Sequence, residues 1–395
     1  MKKAVVIIPT YNERENIQKL VPLLLDIFKK IKNWDMEILV VDDTSPDKTY
    51  EAVEKLSKKY HKLNLLINRK KEGLGSAYLK GMDYAFGKLG AEVIFQFDAD
   101  LSHDYKKIPE FMTEIDKGAD LVLGSRYIKG GAIPKDWGLH RKFLSIVGNF
   151  IITVVLTNFS IHDWTTGFRA IKKEVYKKVS PSINDARFMG YTFQIGFLNS
   201  AVRQGFKIKE VPIIFVDRTI GQSKLGNEYI KNTLLYIFKL RLDDLLNNRI
   251  FKFGFVGGIG TLVQLISLTI IRTLLPSFQF LVLTNFLVAT LLSIELAIAS
   301  NFILNNLWTF SDRKLKTSQI PAKFIQFNIA SMGSILIQLV INSLGENLIG
   351  LKHLFILPII NFNIDTGVVF AITGIGIGLF WNFFAYNKFI WKKKH

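Results

Sequence analysis

Asp98-Ala99-Asp100 closes an apolar run, Val93–Phe97, and offers two carboxylates at alternate positions. In an extended segment residues i and i+2 point the same way, so the pair is expected to converge on one hard cation. A divalent ion held at the carboxyl edge of a sheet suits a diphosphate. Two other stretches could serve the same crevice: Pro9-Thr10-Tyr11-Asn12-Glu13 and Val41-Asp42-Asp43-Thr44-Ser45-Pro46-Asp47. Each alone also reads as a turn with a helix cap. Three strand ends in a row, each releasing acidic or amide groups, are harder to attribute to capping. With no cysteine, the 395-residue chain offers no disulfide, zinc-thiolate site or thiol nucleophile.

The elements that must position these groups follow from periodicity. Short β-rich runs alternate with helical patterns over the first 220 or so residues, the signature of a mostly parallel sheet covered by helices. Strands are expected at Ala4–Ile8, Glu37–Val41, Leu63–Ile67, Val93–Phe97 and Asp120–Gly124. Helices are expected over Glu15–Lys30, Thr49–Lys59, Ser76–Leu89 and Tyr105–Gly118, with His103 as a cap for the last. Ligands of such sheets bind outside the carboxyl ends of the strands, where all three clusters fall.

The chain carries a net charge of +18, unevenly spread. From Ile250 onward lie only eleven of the 51 Lys+Arg and four of the 33 Asp+Glu. No nucleic-acid motif accompanies the charge, so anionic lipid and an anionic substrate are the expected partners, and nucleic acid is not. The division is therefore 1–224 as a soluble α/β domain, 225–249 as an amphipathic interface helix or linker, and 250–395 as an all-α membrane domain. Four spans are expected at about 253–275, 280–311, 324–345 and 366–390. Lys and Arg cluster at Arg249 and Lys252, at Arg313–Lys323 and at Lys388–Lys394. By the positive-inside rule both termini and the soluble domain face the cytoplasm of a multi-pass protein of the cell membrane. An internal repeat runs through the spans: Asn301–Phe310 echoes Asn382–Trp391. Glu295, mid-span, is expected to hydrogen-bond Asn301 or Asn305.

With these motifs in view, residues 3–245 resemble glycosyltransferase family 2, and more closely its dolichyl-phosphate mannose synthase and polyprenyl-phosphate glucosyltransferase group. The resemblance rests on Pro9–Asn16, Val41–Asp47, Gly73-Leu74-Gly75-Ser76-Ala77, Asp98–His103, Gly124-Ser125-Arg126-Tyr127 with Lys129-Gly130-Gly131, Gly167-Phe168-Arg169 and Gly221 with Ser223-Lys224. The last third is similar to the GtrA-type membrane module. The resemblance implies a GT-A (Rossmann-like) catalytic domain and a lipid-linked monosaccharide as product. Pro9, Tyr11, Glu13, Val41 and Asp43 would hold the nucleoside; Asp98 and Ala99 would line the donor. Asp98, Asp100 and Ser102 would hold Mg²⁺ or Mn²⁺ at the diphosphate, and Arg218 and Lys224 would close over the phosphates. Arg126, Arg141 and Ser145 would cradle the acceptor's phosphate, with Asp98, Asp100 and Arg126 as the catalytic set. The implied donor is GDP-mannose, with UDP-glucose as the alternative, and the acceptor is dolichyl or polyprenyl phosphate in a membrane lipid phase.

Some relatives have Gln where this chain has Ser102, a weaker oxygen donor, and the second Arg of the Arg218 loop is Ile220 here. No obvious general base is present. None is needed if the nucleophile is a phosphate monoester, already largely dianionic at pH 7. Two rivals remain: a processive polysaccharide synthase, whose Gln-x-x-Arg-Trp motif is missing, and a non-catalytic lipid carrier or flippase, against which the intact acidic motifs speak.

Overall fold

The computed structural model of the chain describes residues 1–69, 73–182, 191–216, 227–274, 279–280, 283–350, 352–357 and 362–391. Two compact units result, Met1–Arg241 and Leu242–His395.

The first unit is built on a seven-stranded sheet. Its strands are β1 (Lys2–Thr10), β2 (Trp34–Asp42), β3 (Leu63–Ile67), β4 (Val93–Gln96), β5 (Leu121–Ser125), β6 (Arg169–Lys172) and β7 (Ile208–Pro212), in the order β3-β2-β1-β4-β6-β5-β7. Runs such as Ala4–Ile8 and Ile38–Val41 are wholly buried, as expected of parallel strands covered on both faces. Each fully buried Val, Ile or Leu contributes roughly 1.5–3 kcal/mol. Alternate residues go to opposite faces: Ala4, Val6 and Ile8 join one core, Val5 and Ile7 the other. The first core is closed by α1 (Arg14–Phe28), α2 (Thr49–Lys59) and α4 (Ile108–Asp116). The second is closed by α3 (Leu74–Gly87), α5 (Leu139–Leu156), α6 (Lys173–Val179) and α7 (Tyr191–Arg203), with Ile237 of α8 (Asn227–Asn247).

Only β6 runs antiparallel to its neighbours. The carboxyl ends of β1, β2, β4 and β5 therefore share one edge with the start of β6. Helix α5 is long and apolar enough to cross a membrane by length and composition. Asn149, Ile152 and Leu156 nevertheless bury one of its faces in the first unit, so it reads as a covering helix.

The second unit contains α9 (Arg249–Leu274), α10 (Asn285–Leu304), α11 (Ile320–Leu348) and α12 (Thr366–Ala385). Helix α9 pairs with α10, and α11 with α12. The second of each pair ends in a π-helical turn, at Asn305–Thr309 and Tyr386–Ile390. These turns fall at matching places in the internal repeat. Trp391 Nε1 donates to Asn306 Oδ1 at 3.1 Å, and Arg313 donates to the repeat-equivalent Asn387 Oδ1 at 2.8 Å. Short antiparallel pairs, β8 (Gln279–Phe280) with β9 (Leu283–Thr284) and β10 (His353–Leu357) with β11 (Phe362–Asp365), occupy the connections. Helix α10 thus begins at Asn285, later than the expected 280, because β8 and β9 take the preceding residues. Glu295 accepts from Asn328 Nδ2 at 3.4 Å, not from Asn301 or Asn305, since α11 presents the nearer amide.

Candidate active site

The loops after β1 and β2 are stitched together. Asn12 N donates to Ser45 Oγ at 3.1 Å, Glu13 N to Thr49 Oγ1 at 3.1 Å, and Arg14 N to Asp47 Oδ2 at 3.1 Å. Of five non-glycine residues with positive φ among the described residues, Asn12, Thr44, Lys48 and Leu101 lie in loops at this edge. Such backbone persists where surrounding contacts over-determine it. Asp42, expected in the crevice, is fully buried and accepts from Thr10 Oγ1, Ser45 N and Ser45 Oγ at 2.7–2.8 Å. It braces the loops. Asp43, 9% exposed, is oriented by Asn68 Nδ2 at 2.8 Å. Pro9, Tyr11 and Glu13 are part-exposed beside it, whereas the Val41 side chain lies wholly in the core and can offer only its backbone.

Asp98, Ala99 and Asp100 lie in a turn, because Leu101 adopts φ 62° and β4 ends at Gln96. The alternation argument of an extended strand therefore does not apply; the turn itself sets where the carboxylates point. Tyr78 Oη donates to Asp98 Oδ1 at 3.1 Å, and Asp98 N donates to His103 Nδ1 at 3.2 Å. His103 Nε2 stands 3.5 Å from Asp98 Oδ2. The next helical turn is capped by Asp104, not by His103. Burial first, and then the charge of Asp98, push the Tyr78 hydroxyl well above its ordinary pKa, so it stays a donor. Asp100 Oδ1 accepts from Ser102 N at 3.1 Å. Ser102 Oγ is buried without a hydrogen-bond partner.

At the end of β5, Arg126 forms a buried fork with Asp163: Nε to Oδ2 and Nη2 to Oδ1, both 2.7 Å. Nη2 also donates to Thr165 Oγ1 at 2.8 Å. Tyr127 Oη and Ser145 Oγ share a 2.5 Å hydrogen bond. Burial raises the Tyr127 hydroxyl above its ordinary pKa, despite the opposing charge of Arg126. Arg141 lies one helical turn before Ser145 on α5 and stacks 3.9 Å over Trp137. One ring joins the two halves of the site. Phe215 lies 6.3 Å from the His103 ring, 5.8 Å from Trp137 and 5.6 Å from the Arg126 guanidinium. Asp98, Arg126, Arg141 and Ser145 thus belong to one neighbourhood.

Beneath the turn, Arg169 is fully buried and donates to three backbone carbonyls, those of Thr166, Gln194 and Trp164. Burial lowers its pKa to about 9. Arg218 and Lys224 lie outside the described residues. Spacing did not bring forward Tyr78, Asn68, Asp163 or Thr165. The polar run His162–Thr166 before Gly167 was the one available hint of the last two.

No group of three or more His, Cys, Asp or Glu side chains that could cage a metal occurs among the described residues. The donor set instead comprises Asp98, Asp100 and the unsatisfied Ser102 hydroxyl, all hard oxygens. That set fits Mg²⁺ or Mn²⁺, which bind through one or two carboxylates plus substrate phosphates.

Comparison with known proteins adds independent findings. Residues 5–180 match the family described as glycosyl transferase family 2, and residues 252–391 match the GtrA/DPMS transmembrane domain. A dolichol-phosphate mannosyltransferase of Pyrococcus furiosus is 33% identical over 343 residues, covering 86% of this chain and 89% of that one. A polyprenol monophosphomannose synthase of Mycolicibacterium smegmatis is 36% identical over 237 residues, covering 60% of this chain and 86% of that one. Among solved structures, mannosyl-3-phosphoglycerate synthase from Rubrobacter xylanophilus aligns with a TM-score of 0.45 and 13% identity, over 62% of this chain and 76% of that one.

Proposed function

The chain belongs to glycosyl transferase family 2 and carries a GtrA/DPMS-type transmembrane domain, and on that premise we propose that it transfers mannose from GDP-mannose to dolichyl or polyprenyl phosphate with inversion at the anomeric carbon. The carrying observation is the meeting of two charge systems through Phe215: the Asp98–Asp100 turn on one side, and Arg126, Ser145 and Arg141 on the other. Helix α5 adds to it. It turns Arg141, Ser145 and Asn149 one way and leaves Leu139, Phe143, Ile146, Phe150 and Val154 exposed on another face. A charged headgroup on an apolar tail suits such a helix.

Asp43, held by Asn68, orients the nucleoside together with Pro9, Tyr11 and Glu13; Arg218 and Lys224 are assigned to the donor phosphates. Asp98, Asp100 and Ser102 would hold Mg²⁺ or Mn²⁺. That ion, when bound, would neutralise charge on the diphosphate. Arg126, Arg141 and Ser145 bind the acceptor phosphate and offset its repulsion from the donor. One dianionic phosphate oxygen forms a bond to the anomeric carbon as the bond to the diphosphate oxygen breaks, and no proton must be removed. The product is a β-linked sugar phosphate lipid from an α-linked donor. The distribution of Lys and Arg supports a multi-pass arrangement with both termini in the cytoplasm.

The test is turnover of the full chain in membranes with polyprenyl phosphate and either GDP-mannose or UDP-glucose, with and without Mg²⁺ or Mn²⁺. Lipid-linked β-mannose, abolished by Asp100→Ala, is expected. Lipid-linked glucose would replace the donor assignment. A retained anomer, a polymer or no product with either donor would sink the reaction.

A further inference from the structure

We propose that His103, together with Tyr78, is a positioning residue that fixes the Asp98 carboxylate from both sides and sets the turn carrying Asp100; this rests on the reading of that turn as the donor's diphosphate site. His103 is packed among aromatic rings: stacked on Phe168 at 5.2 Å and 13°, and edge-on to Phe97 at 5.2 Å. A phenylalanine would fill such a niche. A polar ring buried there is costly unless its nitrogens are used, and both are spent on one residue. Nδ1 accepts from the Asp98 amide, so in the neutral ring Nε2 carries the proton and faces Asp98 Oδ2 at 3.5 Å. Tyr78, itself fully buried, donates to the other oxygen.

Exposure separates the roles. The His103 side chain is 2% exposed and that of Asp98 37%, so the histidine acts only through the aspartate. Gly167 closes the arrangement: a Cβ there would lie 3.4 Å from His103 Cε1 and 3.5 Å from Asp98 Oδ2. Groups that orient a ligating carboxylate are worth about 10- to 100-fold in affinity or turnover.

Three variants of the full-length protein in detergent read the clamp: His103→Phe, His103→Asn and Tyr78→Phe. The measurements are kcat and donor KM, the apparent Tm, and the affinity for GDP and for UDP with and without Mn²⁺. His103→Phe keeps the ring packing and loses both polar contacts. It should lower kcat by about 10- to 100-fold and erase the Mn²⁺-dependent gain in nucleotide affinity, with metal-free affinity unchanged. His103→Asn places an amide oxygen near the Nδ1 position and should restore most of the loss. Tyr78→Phe should move the same quantities in the same direction.

Wild-type kcat and a wild-type Mn²⁺ gain in His103→Phe would overturn the proposal. So would equal impairment of His103→Asn and His103→Phe at unchanged Tm. Should His103→Phe fail to fold, an unaltered kcat in Tyr78→Phe would overturn it alone. If the wild type turns over neither donor, the functional reading falls, and nucleotide affinity with Mn²⁺ still tests the clamp.

Discussion

Asp163→Ala should unsettle the first unit more than its distance from the carboxylate turn suggests. Asp163 is fully buried and accepts from Arg126 N at 3.1 Å, Nε at 2.7 Å and Nη2 at 2.7 Å. Removing it leaves a guanidinium only 9% exposed without its carboxylate. Breaking a buried ion pair in this way costs about 3–5 kcal/mol. Thr165 Oγ1 and the rings of Tyr127 and Phe215 still surround the cation, at 5.3 and 5.6 Å for the rings, so the lower end is expected. About 3 kcal/mol, at about 2–4 °C per kcal/mol for a unit of this size, lowers the apparent Tm by about 6–12 °C. Tryptophan fluorescence of the detergent-solubilised protein would read it, since buried Trp164 adjoins the pair. Because the fork fixes the Arg126 plane, the KM for polyprenyl phosphate should rise about tenfold while donor KM moves little. The double variant Arg126→Met/Asp163→Ala decides the mechanism. If the unpaired charge is the cost, the double variant is more stable than Asp163→Ala alone. A Tm within a degree of wild type, or purely additive losses, would refute the reasoning.

Gly131→Ala should reach Arg126 by another route. A Cβ at Gly131 would lie 2.5 Å from the Ser125 carbonyl oxygen and 2.9 Å from the Arg126 carbonyl carbon, backbone that cannot swing aside. A loss of about 1–3 kcal/mol by thermal unfolding, with a raised acceptor KM, is the expected outcome. Tyr176 donates to Asp83 at 2.6 Å, and burial, reinforced by that carboxylate, raises its pKa. A raised folded-state value means the unfolded chain releases this proton first, near pH 10, so the group's stabilisation is intact below that and lost as pH climbs further. Tyr176→Phe should therefore flatten the fall of Tm between about pH 9.5 and 11 without changing turnover at pH 7; an unchanged alkaline slope would count against it. Gly81→Val should destabilise the sheet rather than the site, because even its Cβ would stand 2.7 Å from Ile7 Cγ2 where α3 crosses β1. Its signature is a lower Tm with donor and acceptor KM unaltered.

What the linear chain disclosed, and what it withheld, follow from different physics. Strands β1, β2 and β4 were readable because a strand buried on both faces is a continuous apolar run, and Ala4–Ile8 or Val93–Phe97 can be little else. Strand β6 was not. It is four residues long, begins with the buried Arg169, and is a strand only because Gln96 and Leu123 flank it in the sheet. Helix α5 also escaped, since its apolar residues serve two surfaces and blur the single stripe that marks a covering helix. The same contrast holds at the site. Asp43, Asp98, Asp100 and Arg126 stand out by residue type at strand ends. Asn68, Tyr78 and Asp163, which orient them, come from the residue after β3, from α3 and from a loop, at separations no local pattern encodes. Asp42 and Asp43 make the point within one dipeptide: identical side chains, one fully buried and bracing the loops after β1 and β2, the other held by Asn68 from beyond β3. Residue type announces chemistry, but which of two aspartates performs it is decided by the partners that folding brings from elsewhere.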